Sequence, residues 1–206
     1  MKEIILVRHG ESEHLVKGIK GGWTDLPLTD KGRLQIKLTR KRLKELFENR
    51  IEIIYTSDLI RAKESAEIMR EDFDIPLIVE SKFRDINKGI TKDMTIEEGK
   101  KVEIPPSEPI RDWIPYPEGE NWRMLFDRVS DALTYIEQKL EQIVLIISHD
   151  RTIAAIIEWW LKLPEDSHID FFSQPASITW LGLNDFKQPE IRKLNETAHL
   201  MESELK

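Results

Sequence analysis

The chain has 206 residues, of which 40% are hydrophobic and 33% charged, and it carries a net charge of −7 with no cysteine. That length suits one domain with a full core, and the acidic balance argues against a general nucleic-acid or anionic-membrane binder. Disulfides, thiolate metal sites and a cysteine nucleophile are excluded, and no apolar run approaches the ~20 residues that cross a bilayer.

Met1-Lys2-Glu3 runs straight into the first strand, which leaves no room for a signal peptide, so a cytoplasmic location is expected. Ile4-Ile5-Leu6-Val7 reads as a buried strand that ends abruptly in Arg8-His9-Gly10-Glu11-Ser12. A glycine-rich loop follows. Thr29 or Asp30 then caps a helix reaching about Glu48, with Leu34, Leu38, Leu43, Leu46 and Phe47 as its apolar residues. Residues 51–56 form a second strand. Ser57-Asp58 supplies a cap, and Leu59, Ala62, Ala66 and Met69 recur at helical spacing, which puts Arg61 in the first turn of that helix. Residues 76–79 form a short third strand.

From about 86 to 118 the periodicity fails, and five of the ten prolines fall there. A connection that long reads as a lid or binding insertion. A strong helix is predicted from about Glu120 to Glu141, with Leu125, Val129, Ala132, Leu133, Ile136 and Leu140 as its stripe. Residues 143–147 are a continuous apolar strand ending in Ser148-His149-Asp150, followed by a helix bearing Ile153, Ile156, Ile157, Trp160 and Leu161. Residues 177–183 read as a last strand, 191–194 as a short edge, and the polar tail beyond Asn195 is expected to fray. This order predicts an α/β fold with a mostly parallel sheet covered by helices on both faces.

Two strands thus end in histidines, His9 and His149. If they run parallel, both emerge on one edge, where Arg8 and Arg61 also arrive. Two arginines and two histidines make a pocket for a dianion, since guanidinium forks fit phosphate oxygens. A cation within about 4 Å of a phosphoryl group contributes ~4 kcal/mol at an effective dielectric near 20. The arginines also keep nearby imidazoles neutral and nucleophilic. No metal-ligand spacing occurs and flanking arginines would repel a metal ion, so no metal is expected. His14, His168 and His199 stand alone and read as surface or packing residues, and Trp159 and Trp160 as core contacts.

Four stretches, namely 8–12, 22–32, 57–62 and Ser148-His149, together resemble the histidine phosphatase superfamily, the phosphoglycerate mutase-like group. The resemblance covers nearly the whole chain. It implies a three-layer α/β/α sandwich with His9 as the nucleophile that takes the phosphoryl group. Arg8, Arg61 and His149 would bind and stabilise that group, with Ser12 and Gly22 also in the substrate-binding set, and without metal or cofactor. The family's general acid is a glutamate four residues before a glycine. Here Asp85-Ile86-Asn87-Lys88-Gly89 keeps that spacing with aspartate. Asp150, directly after the second histidine, resembles the acid of the phytase branch and is the alternative; capping of the next helix is its other role. Leu15 stands where the family commonly has a phosphate-binding asparagine.

The resulting expectation is a single domain over 1–206 with a lid insertion at about 86–118. It would be a metal-independent phosphatase hydrolysing a small phosphomonoester through a phosphohistidine on His9. The alternatives are phosphoglycerate mutase-type transfer, or a regulatory phosphate-binding module with little turnover. The partner is a small phosphorylated metabolite, with no nucleic acid or membrane; a homodimer stays open. Arg111, Lys100, Lys101 or Arg123 would reach substrate from the lid.

Overall fold

The structure is a computed structural model that describes residues 1–165, 167 and 169–201. Its strands are β1 (Glu3–Arg8), β2 (Ile53–Thr56), β3 (Leu77–Val79), β4 (Ile143–Ser148), β5 (Ile178–Leu183) and β6 (Pro189–Glu196). They form one six-stranded sheet in the order β3-β2-β4-β1-β5-β6. The pairs β3–β2, β2–β4 and β4–β1 are parallel, and β5 runs antiparallel to both β1 and β6. The helices are α1 (Glu13–Val16), α2 (Asp30–Phe47), α3 (Ile60–Arg70), α4 (Ile96–Lys100), α5 (Trp122–Glu137) and α6 (Asp150–Leu161).

The central strands are apolar throughout because both of their faces are covered. Ile4, Leu6, Val144 and Ile146 point to one side, where α5 and α6 contribute Leu125, Val129, Leu133, Ile153 and Ile157. Ile5, Val7, Leu145 and Ile147 point to the other, against Ile36, Leu43 and Phe47 of α2 and Ala66 and Met69 of α3. The period-two alternation of the strands therefore feeds two cores, and the result is the three-layer α/β/α arrangement expected.

Local chemistry sets most boundaries. Thr29 caps α2 by accepting from Gly32 N at 3.0 Å, and Asn121 caps α5 by accepting from Met124 N at 2.8 Å. Three expectations are corrected. α5 ends at Glu137, so Leu140 lies beyond it and is 91% exposed rather than part of the stripe. α3 is capped from a distance: Asp25 Oδ1 accepts from Ile60 N at 2.6 Å, while Asp58 is engaged by Arg84. The tail does not fray at Asn195, because β6 runs to Glu196 and His199 is buried beyond it, 3.0 Å from Thr39 Oγ1. The aperiodic stretch also contains an unexpected element, α4, fixed by a capping box between Thr95 and Glu98. Among the described residues no helix is long and apolar enough to cross a membrane.

Candidate active site

β1 and β4 are adjacent and parallel with Arg8 opposite Ser148, so His9 and His149 leave the sheet side by side. Their ring centroids lie 5.1 Å apart. His9 Nδ1 is 2.7 Å from Gly10 O. A carbonyl only accepts, so Nδ1 carries the proton and Nε2 keeps its lone pair. That lone pair faces Arg61, whose Nε donates to it at 3.1 Å.

Arg61 is fully buried, and the glycine-rich loop holds it there. Nη1 donates to Thr24 O at 2.6 Å and Nη2 to Gly22 O at 2.8 Å. Gly22 can turn its carbonyl this way because its φ is +68°, a conformation side chains disfavour. Arg8 Nη1 donates to Ser173 O at 2.6 Å, and its buried Nε has no protein partner. Both ring nitrogens of the buried His149 also lack partners. Buried polar groups of this kind are left for a ligand or solvent to pair. The turn after His9 is clamped from behind: a Cβ on Gly32 would fall 1.9 Å from Glu11 O, so α2 reaches the turn only with glycine there.

The field is strongly cationic. Burial, then Arg61, His149 and Arg8, hold His9 well below its ordinary pKa, so it is neutral at pH 7. Burial and the same two arginines depress His149. Burial lowers Arg61 to about 10, which leaves it charged at neutral pH. Asp85 sits 3.9 Å from Arg61 Nη2, and its side chain is 15% exposed. Burial alone would raise its pKa, but Lys88, Arg61 and the Ile86 N–H together hold it below the usual carboxylate range. A dianion bound among those cations would offset them and raise the Asp85 pKa. Asp150 is the first residue of α6 and caps nothing; its Oδ1 accepts from Ser173 N at 2.8 Å.

A cavity of about 810 Å³ opens beside Arg8 and Asp85, with His9, Arg61 and His149 set behind its lining residues. Arg8, His14, Asp85, Lys88, Asp150 and Arg151 line it, and Ile110, Trp113, Tyr116 and Trp122 form an apolar side contributed by residues 110–122. That side is tied to α6 by a part-buried ion pair, Arg111 Nη2 to Glu158 Oε1 at 2.7 Å, and Trp122 Nε1 donates to Glu158 Oε2 at 2.9 Å. Of the four basic residues expected to reach substrate, only Arg111 lines the cavity. Lys100 pairs with Glu97, and Arg123 with Asp112 and Glu165. Lys20, Lys88 and Arg151, which sequence reasoning missed, line it with Arg111. Ser12 and Gly22 stand one step back: Ser12 Oγ contacts His14 Nδ1 at 2.8 Å, and Gly22 engages Arg61. His14 is not at the surface but buried against the site, its ring centroid 6.1 Å from that of His9. His168 lies outside the described residues.

The model of the histidine phosphatase superfamily, branch 1, matches residues 4–197. The chain belongs to that superfamily. Among its histidine phosphatase relatives, phosphoserine phosphatase 1 of Hydrogenobacter thermophilus is 29% identical over 98% of this chain and 96% of its own. The mitochondrial serine/threonine-protein phosphatase Pgam5 of Drosophila grimshawi is 30% identical over 97% of the chain, which spans only 64% of that relative. The solved structure of Bacillus stearothermophilus YhfR superposes with a TM-score of 0.81 at 26% identity, covering 97% of this chain and all of that one.

Proposed function

We propose that this histidine phosphatase hydrolyses a small phosphorylated metabolite through a phosphohistidine on His9. The observation that carries the reading is the His9 ring itself. Its Nδ1–H is spent on Gly10 O, and its Nε2 lone pair lies among Arg61, Arg8 and an unpartnered His149. That lone pair is held only by Arg61 Nε–H, a donor that an incoming phosphoryl oxygen can take over, so a neutral imidazole beside two cations forms a nucleophile with a charge-matched receptor for a phosphoryl group.

In the first step His9 Nε2 attacks phosphorus, the P–O bond to the alcohol breaks, and Asp85 gives its proton to the leaving oxygen. In the second, Asp85 takes a proton from water, whose oxygen attacks phosphorus. The N–P bond breaks, inorganic phosphate leaves and the His9 lone pair is restored. Arg8, Arg61 and His149 hold the non-bridging oxygens through both steps. Asp85 is favoured over Asp150 as the acid because its Oδ2 approaches Arg61, the residue that touches His9, whereas Asp150 is committed to Ser173. Residues 110–122 act as the wall of a lid that holds the rest of the substrate.

The test is hydrolysis of p-nitrophenyl phosphate in EDTA by wild type and His9→Ala. Turnover by wild type and its loss in the variant are expected. Equal activity in both would sink the mechanism.

A further inference from the structure

His14 has no part in the chemistry just described, yet it is buried in the wall of the same cavity as Arg8 and Asp85. Its Nδ1 is 2.8 Å from Ser12 Oγ, the only hydrogen-bond partner of either atom among the described contacts. Ser12 is fully buried. If Nδ1–H donated to that hydroxyl, the hydroxyl proton would have no acceptor, an expensive arrangement in a buried site. The serine therefore donates, Nδ1 accepts, and the proton of the neutral ring sits on Nε2.

Nε2 has no protein partner among the described contacts. It faces Gly21, where an added Cβ would come within 3.1 Å, and Gly21 also lines the cavity. The ring thus presents a fixed N–H donor at the cavity shared with Arg8 and Asp85, 6.1 Å between ring centroids from His9. Burial, then Arg61, pull the pKa of His14 to about 3, so it brings no charge that would compete with the arginines. Leu15, the next residue along, is 39% exposed and offers no side-chain donor.

We infer that His14 is a phosphate-binding residue whose Nε2–H donates to a non-bridging oxygen of the phosphoryl group held by Arg8, Arg61 and His149. Ser12 acts through it, as the residue that fixes its tautomer. This inference rests on the phosphatase reading, and the experiment separates the two.

Inorganic phosphate is titrated calorimetrically into wild type, His14→Phe and His14→Gln, and kcat/KM is measured with p-nitrophenyl phosphate. Phenylalanine keeps the ring's bulk without a donor, and glutamine restores an N–H near the Nε2 position. The phenylalanine variant should lose roughly tenfold or more in phosphate affinity, because a hydrogen bond to a charged group is removed, and glutamine should recover most of it. Wild-type affinity in the phenylalanine variant would reduce His14 to packing and overturn the inference. Imidazole 15N spectra of the wild type supply a readout that needs no variant to fold. The proton should lie on His14 Nε2, and that resonance should move on saturation with phosphate. A proton on Nδ1, or an unmoved Nε2, would also overturn it. If wild type neither binds phosphate nor turns over the ester, the phosphatase reading falls and His14 falls with it.

Discussion

Replacing Arg61 by methionine keeps an unbranched side chain in the same buried position and removes the guanidinium. Three hydrogen bonds go with it, to Gly22 O, Thr24 O and His9 Nε2, together with the 3.9 Å approach to Asp85 Oδ2. Two buried carbonyls lose their donor at ~1–3 kcal/mol each, offset by relief of the cost of burying the charge, so unfolding stability should drop by about 2 kcal/mol. The catalytic loss is larger. A cation near 4 Å from the phosphoryl group contributes ~4 kcal/mol at an effective dielectric of about 20, which corresponds to roughly a thousandfold in kcat/KM. The pH profile carries a separate signature. Arg61 is the second cause, after burial, of the depressed pKa of His9, so its removal raises that pKa. The acid limb, where the nucleophile becomes protonated, should therefore move to higher pH in the variant. Steady-state kinetics across pH and urea unfolding report all three quantities. A variant that keeps kcat/KM within tenfold of wild type, with an unmoved acid limb, would refute the assignment of Arg61 to both roles.

Asp85→Asn should lower kcat about a hundredfold on an alkyl phosphate, with a smaller loss on p-nitrophenyl phosphate, whose leaving group needs less protonation. Asp150→Asn should stay within severalfold on both; the reverse pattern would move the acid to Asp150. Leu133→Ala, in a fully buried position of α5, should cost ~2–5 kcal/mol in urea unfolding, while Leu140→Ala should stay within about 0.5 kcal/mol, because Leu140 lies outside the helix. Comparable losses for the two would restore the longer helix. Gly32→Ala should cost at least ~1–3 kcal/mol and reduce activity, since the methyl group meets Glu11 O and pushes the turn that aims His9. A variant with wild-type stability and rate would show that α2 does not clamp that turn.

The parts of the fold readable in the sequence were those dominated by burial on both faces. Ile4–Val7 and Val144–Ile147 are apolar without interruption because two cores claim alternate residues, and an abrupt change to Arg8-His9 or Ser148-His149 marks where strand becomes rim. Arg61 is legible from its short distance in sequence beyond the end of β2. What could not be read depends on contacts distant in sequence. His14 sits on a four-residue helix with no period of its own, and its burial is a tertiary result. Lys88 and Arg151 reach the cavity from segments far apart in sequence, and Arg111 finds Glu158 across 47 positions. The start of α4 does carry a local signal. The sequence Thr95-Ile96-Glu97-Glu98 has the capping-box spacing that starts α4. Leu140 follows Ile136 at helical spacing, so the end of α5 at Glu137 has no such signal in the sequence.

The central claim is a covalent bond between phosphorus and His9. Rapid acid-free quenching of a single turnover, followed by peptide mass spectrometry, tests it directly. The account predicts one added phosphoryl group on the peptide containing His9, stable in base, labile in acid and absent from His9→Ala. Full turnover with no phosphorylated His9 at any quench time, or the same label in His9→Ala, would contradict it.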